Sequence, residues 1–302
     1  MLGKQRPLDP QIFPFDHPEF LHSTPQVGQP LEPGLAVLRR NGLPGGFHDS
    51  IGPLPYSQQL AGITPESLRR RLDRHELVTF LAVLKPGTVP DREAWIAAGF
   101  DVEPASPQFV WRPGGGLPEQ SAKTRYNLRR AREQWRVEPC DIQQHAGEMG
   151  ALYTQLFAQR EMSAMLNYPP AHFACLAAVP GIEMLGAFDP AGLGAFLVYA
   201  RWGEEVHTLH LAGSERSCRT RAAYALLQAL WEREHAQTTL YFGGAPRSAN
   251  GAGIARFKQR FANATETPLL VRALLNPAAS RRLEEQRGSH PWFPPYRSQH
   301  GD

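Results

Sequence analysis

The order helix, apolar strand, short helix, strand occurs twice along this chain, and that repetition constrains the fold more than any single segment does. It runs over 65–74, 77–84, 91–98 and 107–113, and again over 219–235, 238–244, 250–261 and 268–275. The short helices end alike, AWIAAGF (94–100) against ARFKQRF (255–261). This pattern reads as an internal duplication in an α/β (α+β) chain, with chance similarity of two αβ units as the alternative. LVTFLAVL (77–84) is a continuous apolar run of strand length, suited to a sheet covered on both faces. Thr64-Pro65 predicts a helix start, because proline at the first helical position lacks only an N–H that the helix leaves unused. Pro118 opens a predicted helix to about Trp135, a further helix covers roughly 145–162, and Asn250 is the expected cap of the helix to Phe261. IEMLGAF (182–188), LGAFLVYAR (193–201) and EVHTLHLAG (205–213) read as consecutive strands joined by short turns.

Composition bounds the function. The 302 residues are 42% hydrophobic, enough for the cores of two ordinary domains. Lys and Arg number 32 against 29 acidic residues, so no DNA partner is expected and any basic patch must be local. Cys140, Cys175 and Cys218 lie far apart, which reads as reduced thiols in a cytoplasmic protein. No apolar run approaches the ~20 residues of a membrane span, and the opening residues have no apolar stretch of signal-peptide type. The expected boundaries are 1–116, 117–275 and a mobile, Pro-rich tail at 276–302.

Three places carry chemistry. Arg125, Arg129, Arg132 and Arg136 recur at spacings of four, three and four, forming a basic stripe on the helix that opens the second half. Guanidinium forks suit phosphate or carboxylate, since each can bind two oxygens; a solvated basic face explains the stripe equally well. Arg216, Ser217, Arg219 and Arg221 crowd a predicted helix start, where backbone N–H groups attract anions and where Ser214 or Ser217 can cap. Gly243 and Gly244 mark a strand exit needing unusual backbone angles. His207 and His210 sit three apart in a strand, a spacing that points them to opposite faces, so no metal is expected there.

Four segments resemble the Fem peptidyltransferases and their wider GNAT acyltransferase relatives. They are FLHS (20–23), IGPLPY (51–56), RYNLRRARE (125–133) and LYFGG (240–244), the last followed by GIARFKQRF (253–261). The resemblance implies two tandem GNAT-like domains: a degenerate, acceptor-side domain at 1–116 and a catalytic domain at 117–275. It implies transfer of an activated acyl or aminoacyl group onto an amine of a cell-wall or polysaccharide precursor. The donor would be aminoacyl-tRNA or acyl-CoA, with no tightly bound cofactor, and the precursor small or lipid-linked. Carried over, the lysine of the Phe-Lys motif is Lys258, which would stabilise the oxyanion. The carbonyl of Phe257 would accept a proton from the attacking amine. Arg125, Tyr126, Asn127, Arg129 and Arg132 would bind the acceptor or its anion. In this family Gly243 and Gly244 would border the donor channel, with Arg216, Ser217, Arg219 and Arg221 at the donor phosphate. GNAT enzymes usually have glycines in that last loop; here arginines stand at 219 and 221, which counts against acyl-CoA. Ala97 stands in the first repeat where Lys258 stands in the second, so only the second would keep a catalytic site. The alternatives are a GNAT N-acetyltransferase acting on a small amine or amino sugar, and a non-catalytic module of the same fold.

Overall fold

The computed structural model describes residues 12–116, 119–160, 162–246 and 251–297. In the first half these form α1 (Pro18–His22), β1 (Gln29–Pro30), β2 (Leu38–Arg40), β3 (His48–Ile51), α2 (Gln58–Gly62), α3 (Pro65–Leu72), β4 (Leu77–Val83), α4 (Arg92–Ala97), β5 (Asp101–Pro104) and β6 (Gln108–Trp111). Next come α5 (Ala122–Gln134), β7 (Arg136–Cys140), α6 (Ile142–Gln159), α7 (Pro170–Leu176), β8 (Ile182–Asp189), β9 (Gly192–Trp202) and β10 (Glu205–Gly213). The chain then continues through α8 (Glu215–Arg219), α9 (Ala222–Glu234), β11 (Thr239–Tyr241), α10 (Gly251–Lys258), β12 (Ala264–Glu266), β13 (Leu269–Leu274) and α11 (Pro277–Arg287).

The chain divides into two compact units, neither continuous in sequence. The amino-terminal unit comprises Phe15–Ala105, Glu161–Tyr168 and Pro268–Asp302; the carboxy-terminal unit takes Met1–Pro14, Ser106–Arg160 and Pro169–Thr267. The first holds a six-stranded sheet in the order β1-β2-β3-β4-β13-β5, the second a seven-stranded sheet in the order β12-β6-β11-β10-β9-β8-β7. Both sheets are mixed, with one parallel pair each, β3–β4 and β10–β11.

The expected boundary near 114–117 is corrected by strand pairing. Strand 107–113 was expected in the first domain, yet β6 pairs antiparallel with β11 and β12. Strand 268–275 was expected in the second, yet β13 pairs antiparallel with β4 and β5. The duplication therefore reaches the sheet topology. In each repeat the strand after the short helix is split in two, and its second piece lies between two strands of the other repeat. Local pattern cannot reveal this, because β6 is buried along its whole length and any sheet interior would satisfy it.

The predicted helix over 219–235 is two helices. The chain breaks between them at Arg221, which caps α9 in the left-handed region at φ 68°. The helix expected to open at Pro118 begins after Ser121, whose hydroxyl accepts the amide of Thr124; Pro118 lies outside the described residues. Arg136 lies in β7 rather than on α5, so the basic helix stripe has three members. Asn250, the expected cap of α10, also lies outside the described residues.

Residues 276–297 of the expected mobile tail are instead packed. Asn276 caps α11, Leu283 and Tyr296 are fully buried, and they join Val78 and Leu43 in one cluster. Asp49 closes that cluster: it accepts from Arg297 Nε at 2.5 Å, Tyr296 Oη at 2.5 Å and Thr79 Oγ1 at 2.8 Å. Charge and proline content suggested mobility, but this buried carboxylate binds the segment in place. Removing one partner of a buried ion pair strands the other. Arg297→Ala is therefore expected to destabilise the chain by about 3–5 kcal/mol, read as a lower urea midpoint; a loosely attached tail would leave the midpoint unchanged.

Candidate active site

Parallel pairing between β10 and β11 is short. It covers Glu205–Thr239, Val206–Leu240 and His207–Tyr241, and β11 then ends. Beyond that point Phe242 donates to Phe109 O at 2.9 Å, and Phe109 donates back to Gly243 O at 3.2 Å, so the chain follows β6. From Thr208 to Gly213, β10 pairs only with β9 among the described residues. The two parallel strands thus part, and the Gly243-Gly244 exit lies at the parting.

Lys258, the last residue of α10, reaches this exit. Its Nζ donates to Gly244 O at 2.7 Å, and burial pushes its pKa down to about 8. The glycines are needed here for space. Gly243 has φ +77°, and a Cβ built on it would stand 3.0 Å from Lys258 Nζ; one on Gly244 would stand 3.0 Å from both Gln108 Nε2 and Pro107 O. Gln108 completes the cluster. It is 9% exposed, its Nε2 donates to Ser106 O at 3.1 Å, and its Oε1 is buried with no partner. The sequence reading passed over Gln108; the signal was a lone amide in the apolar run PQFVW. Phe257 packs edge-on against Tyr224 (4.9 Å between centroids) and Phe261 (5.8 Å), and its carbonyl accepts the Arg260 amide at 3.3 Å.

The other expected donor residues lie on or beside α8. Ser214 caps it by accepting the Ser217 amide, and Ser217 Oγ donates to Ser214 O at 2.7 Å. Arg216 pairs with Asp189 at 3.1 Å, Arg219 with Glu215 at 2.6 Å, and Arg221 donates to Cys218 O at 3.4 Å. Each side chain thus has a partner within the chain, and the segment is a helical turn rather than an open glycine loop.

On α5, Arg125, Arg129 and Arg132 line a groove of about 550 Å3, together with Gln120, Leu128 and Gln228 of α9. Arg125 donates to Gln120 O, Arg132 pairs with Glu232, and Arg129 lies 5.7 Å from the Tyr126 ring centre. Tyr126 is 52% exposed, whereas Asn127 is buried on the inner face of the helix.

The histidine expectation is corrected. Thr208 pairs with Tyr199 and His210 with Val198, leaving Leu209 as an extra residue. This bulge returns His207 and His210 to one face, because cross-strand partners point the same way. They still meet different groups. His207 stacks on Tyr241 at 4.5 Å, while His210 Nε2 lies 2.9 Å from His172 Nε2. Burial, then the neighbouring His172, hold His210 well below the ordinary imidazole range. Its folded pKa is depressed, so the unfolded chain binds the extra proton first as the pH falls. Stability should therefore drop below about pH 6.5, by up to about 1.4 kcal/mol per pH unit for one proton. Melting curves between pH 7.5 and 5 check this, and His210→Leu should flatten the slope.

No protein-family model matches this sequence, and no curated protein matches it. Solved structures do. The chain is similar in fold to FemX, with a TM-score of 0.56 at 12% identity over 84% of this chain and 86% of that one. It is similar to a conserved protein of unknown function from Bacteroides thetaiotaomicron (0.57, 12%, covering 87% and 92%). A third likeness is to the C-terminal domain of a putative lysylphosphatidylglycerol synthetase from Agrobacterium fabrum (0.52, 15%, covering 81% and 82%). At these identities the likeness is one of fold alone, shared with FemX and with the lysylphosphatidylglycerol synthetase domain. Among the described residues no helix is long and apolar enough to cross a membrane.

Proposed function

We propose that this chain is an acyltransferase that passes an activated aminoacyl or acyl group directly to an amine, with Lys258 at the reacting carbonyl. The observation that carries this reading is Lys258 itself: a half-buried ammonium, held by Gly244 O, at the point where two parallel strands separate. A cation fixed in a poorly hydrated site stabilises a developing oxyanion far better than one in water.

The chemistry balances without a covalent enzyme intermediate. The amine nitrogen attacks the donor carbonyl carbon, and the carbonyl oxygen takes up negative charge beside Lys258. The bond to the leaving group then breaks, and the proton lost by nitrogen passes to the departing oxygen or sulfur. Gln108 Oε1, buried and unpartnered, suits an acceptor for the amine N–H. Three carboxylates on or beside these strands have partners elsewhere: Glu183 bonds Tyr199 and Arg201, Glu215 bonds Arg219, and Glu205 lies 3.1 Å from His207 Nε2. The work is therefore positioning and electrostatics.

Between the two donor classes, the 214–221 segment favours aminoacyl-tRNA over acyl-CoA. It offers no glycine turn for close backbone approach to a pyrophosphate, and its arginines are paired. The α5 groove, with three guanidiniums over a floor containing Leu128, suits the phosphate of a cell-wall or lipid-linked precursor.

Turnover of amine acceptors with aminoacyl-tRNA and with acyl-CoA, followed side by side, tests the reading. Lys258→Ala should lower kcat about 100- to 1000-fold with little change in melting temperature; full turnover in that variant would remove its role. The oxyanion role needs the ammonium charged, so kcat should fall as pH rises past about 8, and Lys258→Arg should lose that alkaline limb. Gln108→Leu should lower kcat/KM for the amine about tenfold, measured with donor saturating.

A further inference from the structure

In the amino-terminal unit two helix ends come to the start of β4. Helix α3 ends at Leu72, and the turn through Glu76 leads directly into the strand. From the other side, Leu275 and Asn276 both donate to Val78 O, at 2.9 and 3.1 Å, which fixes the start of α11 beside the same strand. Residues from both helix ends line a cavity of about 410 Å3, whose apolar lining includes Leu72, Leu77 and Leu275.

The cavity carries opposite charges on its two sides. Asp73 and Glu76 line it from the end of α3, and Arg281 lines it from α11. Asp73 Oδ1 accepts from Arg69 Nε at 2.9 Å. Glu76 and Arg281 make no hydrogen bond or ion pair among the described residues, with each other or with any other group. A carboxylate and a guanidinium that share one cavity without pairing are each left available to a ligand. The backbone has the same polarity: the carbonyl end of α3 is partly negative and the amide end of α11 partly positive. At that amide end Asn276 Oδ1 accepts from Ala279 N at 3.0 Å, and Pro277 has no N–H, so Ala278 carries the remaining first-turn amide, with no acceptor inside the helix. Glu76 takes its place through a left-handed φ of 50°, a conformation glycine adopts more easily.

We propose that this cavity binds a free α-amino acid with an apolar side chain. Glu76 and Asp73 take the ammonium, Arg281 and the Ala278 amide take the carboxylate, and the leucines cover the side chain. The site lies wholly within the amino-terminal unit and does not depend on the reading of Lys258.

Melting of the full chain in L-leucine, N-acetylleucine and leucinamide, at equal ionic strength, tests it. A saturable rise in melting temperature is expected with leucine. N-acetylleucine lacks the cation and leucinamide the anion, so each should bind about tenfold more weakly. Glycine, with no side chain to bury, should also bind about tenfold more weakly. Two exposed positions assign the ends. Glu76→Gln should lose most of the preference for leucine over N-acetylleucine and keep the preference over leucinamide; Arg281→Gln should do the reverse. No saturable response to leucine would overturn the proposal. So would equal responses to the three ligands, or a pair of variants that both keep both preferences.

Discussion

The insertion of β6 between β11 and β12 is the constraint on which the candidate site depends. Strands β11 and β12 are joined in sequence through α10, and β6 holds them apart. Its pairs with β11 are Trp111–Leu240 and Val110–Tyr241; its pairs with β12 run from Val110–Ala264 to Gln108–Glu266. Asn263 ties the second junction with its side chain, accepting the Arg112 amide at 2.8 Å and donating to Arg112 O at 2.9 Å, while its own amide bonds Val110 O. Both ends of the α10 crossover are therefore fixed to one strand. That same strand carries Gln108, so the lysine and the Gln108 side chain are set in register by backbone pairing rather than by a flexible loop.

The glycines follow from this geometry. Once β6 brings Gln108 and Pro107 against the exit of β11, no side chain fits at Gly244. Once α10 returns Lys258 to the same point, a Cβ at Gly243 would press on its Nζ. The bond to Gly244 O offsets part of the cost of drawing the ammonium out of water, the same desolvation that pushes its pKa down to about 8.

Much of this was legible in the sequence, and the failures share a cause. The strands, the α5 helix and the duplicated order were readable because each depends on neighbours close in the chain: apolar runs, proline starts and serine caps. The misplacements arose where distant segments decide. Strands β6 and β13 are apolar enough for either sheet, and only pairing chooses between them. The tail looked mobile by composition until Asp49, more than two hundred residues earlier, was found to hold it. His207 and His210 were assigned to opposite faces because a bulge adds a residue that no alternation rule anticipates. Gln108 was missed because its significance lies in what surrounds it.

The two repeats also differ in a way that bears on why one of them would keep chemistry. Helix α4 ends at Ala97, exposed, where α10 ends at half-buried Lys258. Each sheet keeps the same local order of a parallel pair, an inserted antiparallel strand and an outer strand. The scaffold is thus duplicated while the lysine is not. A fold that fixes backbone so fully can do without a lysine in one copy and keep its shape, because the strands are held by the exchanged partner and not by the crossover helix.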